Sequence, residues 1–318
     1  MGLQPQMKAG AIVLLVNPNA GSAGKIGSNE ELLSSVNSIA GIHVHLISPK
    51  DDLTQLVRQW IASGTSAIGV AGGDGTISSV AHLLVGTDTA LVPIPYGTLN
   101  HFCKDVGTPL DPVIAARALD SSIAQEILID VGSVNGRHFI NNSSLGLYPY
   151  LVRRREKRQH VLGKWMAYLV AAFEFLRHPV RIKVQLSQEE GGQPFHAGLV
   201  FVSNNAVEKG FWSAGQRPRL DAGQLQLFVV KEGTVWATLR AAVAFLRGRS
   251  EDCPVLSEHR LQQLVVFVKH RTYVRVSCDG ETIKLQLPIV YRIVPKALRV
   301  RILRTEDQAT LQAPTSSS

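Results

Sequence analysis

Cysteine is scarce in the 318-residue chain: Cys103, Cys253 and Cys278 are scattered, odd in number and without metal-ligand spacing. A disulfide framework is therefore excluded and a reducing compartment expected. Long uncharged apolar runs are missing as well. The start, MGLQPQMKAGAIVLLVNP, offers about seven consecutive apolar or small residues before Asn17-Pro18, too few for a signal-peptide core. No run approaches the roughly 20 residues that a membrane-spanning helix requires. The expected protein is soluble or peripheral, located in the cytoplasm or on the cytoplasmic face of a membrane. Several catalytic signatures are absent too. The ten histidines, His43 and His45 among them, form no HExxH pair. Asn142-Ser143-Ser144-Leu145-Gly146 has Asn where a nucleophile elbow needs its first Gly, which disfavours a serine hydrolase.

Acidic residues are outnumbered, 25 against 33 basic ones, for a net charge of +8. The imbalance is uneven: residues 1–120 hold six basic and nine acidic side chains, a net −3, and the remainder carries +11. Such asymmetry implies two parts with different tasks, the later one facing phosphates, nucleic acid or an anionic membrane. Nucleic acid is the poorest fit, because the basic segments lack interleaved aromatics and any recognisable binding module. With 45% apolar residues the chain can build one large core or two of ordinary size.

Two continuous β-prone runs, 11–16 and 67–71, read as buried parallel strands. Helical spacing over 28–39 and 52–62, with a strand-like 42–47 between them, gives strand, helix, strand, helix, strand. A helix over 78–85, a strand over 90–94 and a helix over 112–119 extend this into an open α/β sheet. After Asp130 the pattern becomes β-rich, with strands expected at 137–140, 180–186, 196–202, 224–230, 263–268, 272–277 and 283–287. Turns fall at Asn135-Gly136, Gly191-Gly192 and Asp279-Gly280. Two helical stretches interrupt the strands. In 160–176 the apolar side chains Leu162, Trp165, Met166, Leu169, Phe173 and Leu176 share one face, and in 235–247 Trp236, Leu239, Val243 and Leu246 do the same. The expected domains are 1–131, an open α/β domain, and 132–288, a β-rich domain. A polar tail, 305–318, is expected to be disordered.

Three loops carry chemistry. Gly72-Gly73-Asp74-Gly75-Thr76 joins a strand to a helix, where small residues let phosphate approach and the helix N-terminus offers unpaired N–H groups. The bland alternative is a tight turn capped by Thr. Asp74 would act through Mg²⁺ or a water, since two anions repel. Asn17-Pro18-Asn19-Ala20-Gly21 follows the first strand; Asn19 and Ile26 break the Walker pattern, and Gly73, Gly75, Ser78 break a GxGxxG. Pro95-Tyr96-Gly97-Thr98-Leu99-Asn100 follows another strand, with Thr98 and Asn100 as neutral donors. All three loops leave the carboxyl ends of strands, where open α/β sheets bind ligands.

The order NPxxG, GGDGT, PxGTxN and a late Asp-Gly-Glu resembles the diacylglycerol kinase catalytic-domain family, over about residues 10–303. GGDGT alone is shared with NAD kinases and phosphofructokinases; the four-part order is much more specific. The resemblance implies an α/β nucleotide-binding domain joined to a β-sandwich, with an active site in the cleft between them and the last strand, 289–303, returning to the first domain. It implies nucleotide contacts from Asn17, Gly21, Gly72, Gly73, Asp74, Gly75, Thr76, Gly97, Thr98 and Asn100. It further implies a water and Mg²⁺ network at Asp74 and Asp130, with Asp279 and Glu281 by the acceptor hydroxyl. Taken on spacing alone, Asp279-Gly280 is an ordinary hairpin turn. This chain also departs from the family pattern. His101 stands where an Asp is common, Ser78-Ser79 where a Glu is usual, and Ala222 replaces a carboxylate associated with a structural Mg²⁺.

The expected activity is ATP- and Mg²⁺-dependent transfer of phosphate to a hydroxyl of a diacylglycerol-like or sphingoid-like lipid. An NAD kinase-like soluble kinase and a catalytically impaired nucleotide- or lipid-binding protein are the alternatives. Arg153, Arg154, Arg155, Lys157 and Arg158 precede the 160–176 segment and are expected to meet an anionic membrane surface, although a solvated face above a packed helix would look the same.

Overall fold

The structure is a computed structural model, described here for residues 10–20, 28–36, 39, 41–146, 182–187, 195–209, 216–231, 234–268 and 270–303. Gly21, the 153–158 basic cluster, the 160–176 segment, the Gly191-Gly192 turn and the 305–318 tail lie outside the described residues. The chain divides into two compact units, one of residues 1–129 and 296–318, the other of residues 130–295.

The first unit alternates strand and helix: β1 (Ile12–Val16), α1 (Ser28–Val36), β2 (Ile42–Leu46), α2 (Leu53–Ala62), β3 (Ala67–Gly72), α3 (Asp74–Leu84), β4 (Ala90–Pro95), α4 (His101–Asp105) and α5 (Pro112–Ala116). Strands β3 and β4 are buried at every position, as expected of central parallel strands covered on both faces. The strand order is β4-β3-β1-β2, all parallel. Helix starts follow local chemistry. The Asp52 carboxylate accepts the Gln55 N–H at the head of α2, and Asp111 accepts two N–H bonds at the head of α5, with Pro112 in its first turn. Register decides where the loops emerge: Val16 pairs with Ala71 and Gly72 with Pro95. Asn17, Gly73 and Tyr96 therefore leave the sheet at one end.

Strand β5 (Ala124–Val134) carries the chain into the second unit, which is antiparallel: β6 (Arg137–Phe139), β7 (Asn142–Gly146), β8 (Ile182–Ser187), β9 (Phe195–Asn204), β10 (Leu225–Lys231), then α6 (Val235–Leu246), β11 (Leu256–Leu261), β12 (Gln263–Val268), β13 (Tyr273–Cys278) and β14 (Glu281–Gln286). Strand β15 (Ile289–Leu303) returns the chain to the first unit, where Val300 pairs in parallel with Leu91 of β4. The long β9 pairs with β8 and then β7 along one edge and with β10 along the other. Its core gathers Val200, Val202, Leu227, Val266, Val276 and Tyr291. The expected class, an open α/β part followed by a β part, is borne out.

Both dipeptide turns form as read. Asn135-Gly136 and Asp279-Gly280 take positive φ at both positions, the mirror-image turn that matches strand twist. Residues 142–146 are a core strand with Ser143 and Ser144 buried, which removes the elbow geometry a serine hydrolase needs. Helix α6 forms with the spacing read from the sequence; Trp236, Leu239, Val243 and Leu246 face outward, while Ala237 and Ala241 pack on Val230 and Phe245 meets Phe228 edge-on.

Candidate active site

The glycine turn after β3 starts α3 directly, with Gly73 as its N-cap. Because the Gly73 carbonyl takes its first helical bond from Ile77, the N–H groups of Asp74, Gly75 and Thr76 have no partner within the helix. The turn is tied to its neighbours on both sides. Asn17 Nδ2 donates to Thr76 Oγ1 at 3.0 Å, while Asn17 Oδ1 accepts the Asn19 N–H at 3.0 Å. Tyr96 donates its N–H to the Gly72 carbonyl at 3.1 Å. Asp74 Oδ1 accepts the Phe102 N–H at 3.3 Å, fixing one carboxylate oxygen at the mouth of the turn.

Gly97 is required by close approach, since a Cβ there would lie 2.8 Å from Gly73 Cα, with no flexible side chain to yield. Gly75 is different: it is exposed and a Cβ on it would meet nothing within 4 Å. Asn100 has its amide committed within its own loop. Oδ1 accepts the Gly97 N–H at 2.8 Å and Nδ2 donates to the Gly97 carbonyl at 3.0 Å. Thr98 and Leu99 are exposed beside it, and His101 opens α4 facing solvent. The structure thus brings Asn17, Gly72, Gly73, Asp74, Gly75, Thr76, Gly97, Thr98 and Asn100 to one end of one sheet.

In the second unit Asp130 is 0% exposed. Its Oδ2 accepts the Gly223 N–H at 2.6 Å, its N–H donates to Leu220, and its carbonyl accepts Asn204 Nδ2 at 2.8 Å. This geometry makes Asp130 an anchor of the 220–223 loop. Ala222, in the same loop, donates its N–H to Asn205 Oδ1 at 3.1 Å. Asp279 sits in the β13–β14 turn and reaches back to a backbone bend: Oδ2 accepts from Ile140 at 2.8 Å, and Oδ1 from Asn141 at 2.8 Å and Asn142 at 3.0 Å. Glu281 pairs with Arg137, Oε2 to Nη2 at 2.6 Å, in the open.

The sequence reading missed what holds that bend. Buried Arg217 donates to the carbonyls of Ile140 and Asn204 and, at 2.8 Å, to Asn141 Oδ1. Asn204 adds a bond to the Ile140 carbonyl. A guanidinium suits this place because its fork reaches several acceptors at once. The Asn204-Asn205 doublet at the end of β9 was the only hint, and doublets carry no spacing that marks a partner 60 residues away. Removing a buried multivalent donor strands its acceptors, so Arg217→Met is expected to lower stability by about 2–4 kcal/mol in a urea unfolding experiment. It should also slow any reaction that uses Asp279.

The three thiols are buried. Burial pushes Cys103 up to about 12, with the nearby Asp74 charge adding to it, and burial pushes Cys278 up to about 11. Cys253 is buried as well. Iodoacetamide near neutral pH should therefore label none of the three in the folded protein and all of them in denaturant, as read by mass spectrometry.

Comparison with known proteins bears out the resemblance seen in the motifs. Residues 11–134 match the family described as the diacylglycerol kinase catalytic domain. A protein named Diacylglycerol kinase from Bacillus subtilis (strain 168) is 27% identical over 249 residues, 74% of this chain and 78% of its own length. One named "Probable lipid kinase YegS-like" from Pseudomonas fluorescens is 36% identical over 129 residues, 39% of this chain and 42% of its own, so that match spans less than half of the relative. The fold is shared with two solved structures from Bacillus anthracis strain Sterne. A diacylglycerol kinase by name has TM-score 0.67 at 19% identity, covering 93% of this chain and 98% of that one. The other has TM-score 0.71 at 20% identity, covering 96% and 99%.

Proposed function

We propose that the chain is an ATP-dependent lipid kinase that transfers the γ-phosphate to a hydroxyl of a diacylglycerol-like or sphingoid-like lipid. The observation that carries this reading is the Gly72–Thr76 turn: it heads α3 with three N–H groups unused by the helix, inside the segment that matches the family. Relatives named as diacylglycerol and lipid kinases support the lipid acceptor. In the first unit, the 74–76 N–H groups and Thr98 would bind the nucleotide's phosphates, and Asn17 would hold Thr76 in place. In the second, Asp279 or Glu281 would receive the acceptor's proton. As the hydroxyl oxygen bonds to the γ-phosphorus, the bridging bond to the β-phosphate breaks and ADP leaves, so positioning and charge neutralisation supply most of the rate.

Asp74 would help to hold Mg²⁺ at the mouth of the glycine turn. Among the described residues no three His, Cys, Asp or Glu side chains gather into a cage. Asp74 would contribute one carboxylate to an ion otherwise held by phosphates and water, which is how Mg²⁺ is commonly carried with nucleotides. The bound ion would offset the negative charge of the phosphates. Asp130 would join the water and Mg²⁺ network through the carboxylate that also accepts the Gly223 N–H.

Transfer of labelled phosphate from ATP to a panel of diacylglycerol, sphingosine, ceramide, phosphatidylglycerol and NAD tests the reading. Label in a lipid is the expected result. Label in NAD alone would instead make the chain an NAD kinase, and ATP binding with no transfer would make it a nucleotide-binding protein; either overturns the proposal.

A further inference from the structure

Helix α6 is built to be wet on the side where its sequence is greasiest. Its inward positions are small, Ala237 and Ala241, set against Val230 with Leu199, Val255 and Leu256 around them, and Phe245 stacks edge-on against Phe228 with centroids 5.5 Å apart. The outward positions are Trp236, 77% exposed, Leu239, 52%, Val243, 38%, and Leu246, 40%. At offsets 0, 3, 7 and 10 they form one stripe along three turns. Single exposed apolar residues are ordinary, but four in register on one helix, headed by a tryptophan, are a surface that another phase or partner should cover.

Charge says which. Arg240 and Arg247 stand four residues after Trp236 and Val243, on the same face as the stripe, and Arg249 follows the helix; all three are exposed. From Thr234 to Ser250 there is no Asp or Glu, so the segment carries three positive charges unopposed. In the sequence the nearest acids flank it, Glu232 before and Glu251 and Asp252 after, and Glu251 is already paired with Lys209. A copy of the same face would repel this one, arginine against arginine. An anionic bilayer accepts it: apolar side chains enter the acyl boundary, the indole sits at headgroup level, and the arginines lie among phosphates with their stems along the interface.

We propose that α6 is a membrane-docking helix that lies in the plane of an anionic lipid surface through Trp236, Leu239, Val243 and Leu246, with Arg240, Arg247 and Arg249 on the headgroups. The choice of a bilayer as partner rests on the lipid-kinase reading; the surface itself does not.

Vesicle flotation of the full chain tests it, with phosphatidylcholine alone and with 30% phosphatidylglycerol. The full chain should float with the anionic vesicles and lose binding as salt rises. Trp236→Ser with Leu239→Ser should weaken that binding by about tenfold or more, and Arg240→Gln with Arg247→Gln should do so on anionic vesicles only. Melting temperature should hold in both pairs, because the replaced side chains are exposed. If the serine pair failed to fold, Trp236→Phe serves in its place: it should still float, and tryptophan quenching by brominated lipid should drop. Unchanged flotation of the variants overturns the proposal, as does absence of flotation by the parent chain. So does a dimer in sedimentation velocity that Trp236→Ser dissolves, which would assign the stripe to a second copy. Flotation without any lipid phosphorylation would defeat the proposed function and leave the docking surface standing. Phosphorylation of vesicle lipid untouched by these variants would do the reverse.

Discussion

Asp279→Asn should lower phosphate transfer to lipid by about a thousandfold, the middle of the range for removing a group that takes a proton in the transition state. The substitution is nearly isosteric, but the site is not neutral to it. Asp279 is held at φ +45° in a tight turn, and its two oxygens accept three backbone N–H bonds, from Ile140, Asn141 and Asn142. An asparagine can keep its oxygen toward Asn141 and Asn142, which turns its NH₂ toward the Ile140 N–H. Two donors then face each other, at a cost of about 1–3 kcal/mol. Melting temperature and rate must therefore be read together. A large loss of kcat with the KM for ATP unchanged and a fall of only a few degrees in Tm assigns the carboxylate to the chemistry. A loss that shrinks when the assay is cooled well below the variant's Tm assigns it to scaffolding. Glu281→Gln supplies the contrast, because Glu281 is exposed and its partner Arg137 can donate to an amide oxygen as well. That change should barely move stability, so any loss of rate from it is chemical. If both variants kept transfer within about threefold, neither carboxylate would be the proton acceptor.

How much of this was readable from the residues depends on the range of the forces involved. Strands β1, β3 and β4 were legible because a strand buried on both faces has to be apolar throughout, and AIVLLV and AIGVA are. The shared exit of the three loops was legible for the same reason, since parallel strands of matched register end together. Strand β7 was absent from the expected strands because Asn142-Ser143-Ser144 looks polar; its serines are buried, and Ser143 Oγ meets Tyr291 OH at 3.2 Å. The side on which α6 packs was also hidden. Periodicity reports that an apolar face exists and says nothing about whether the neighbouring sheet has room for it. Least visible was the network of Asp130, Asn204 and Arg217, whose contacts span 13 to 93 residues and depend on side-chain reach. Asp279 stood out through its motif, yet its grip on the 140–142 bend appears only when the fold brings the two turns together.

Gly75→Ala and Gly97→Ala should separate the two kinds of glycine in the phosphate turn. Both residues belong to the motifs, and the sequence gives them one rationale: a backbone bare enough for phosphate to approach. The structure gives them two. At Gly97 the new methyl would press on Gly73 Cα and on Asn100 Oδ1, each 2.8 Å away. The backbone cannot yield without parting the β3 and β4 loops, so Gly97→Ala should cost about 1–3 kcal/mol of stability as well as ATP affinity. At Gly75 the methyl enters open space on the first turn of an eleven-residue helix. Alanine is favoured there over glycine by up to about 1 kcal/mol, so the free protein should melt at the same temperature or a few degrees higher. The same methyl would stand in front of the 74–76 N–H groups, where a phosphate must come within hydrogen-bond distance. Gly75→Ala should therefore raise the Kd for ATP by about a hundredfold while stabilising the fold, a pairing that no structural role for Gly75 can produce. Isothermal titration beside a thermal melt reads both quantities from one preparation. A variant that melts higher and binds ATP as tightly as the parent would show that the nucleotide's phosphates lie elsewhere, and the lipid-kinase reading would lose the observation that carries it.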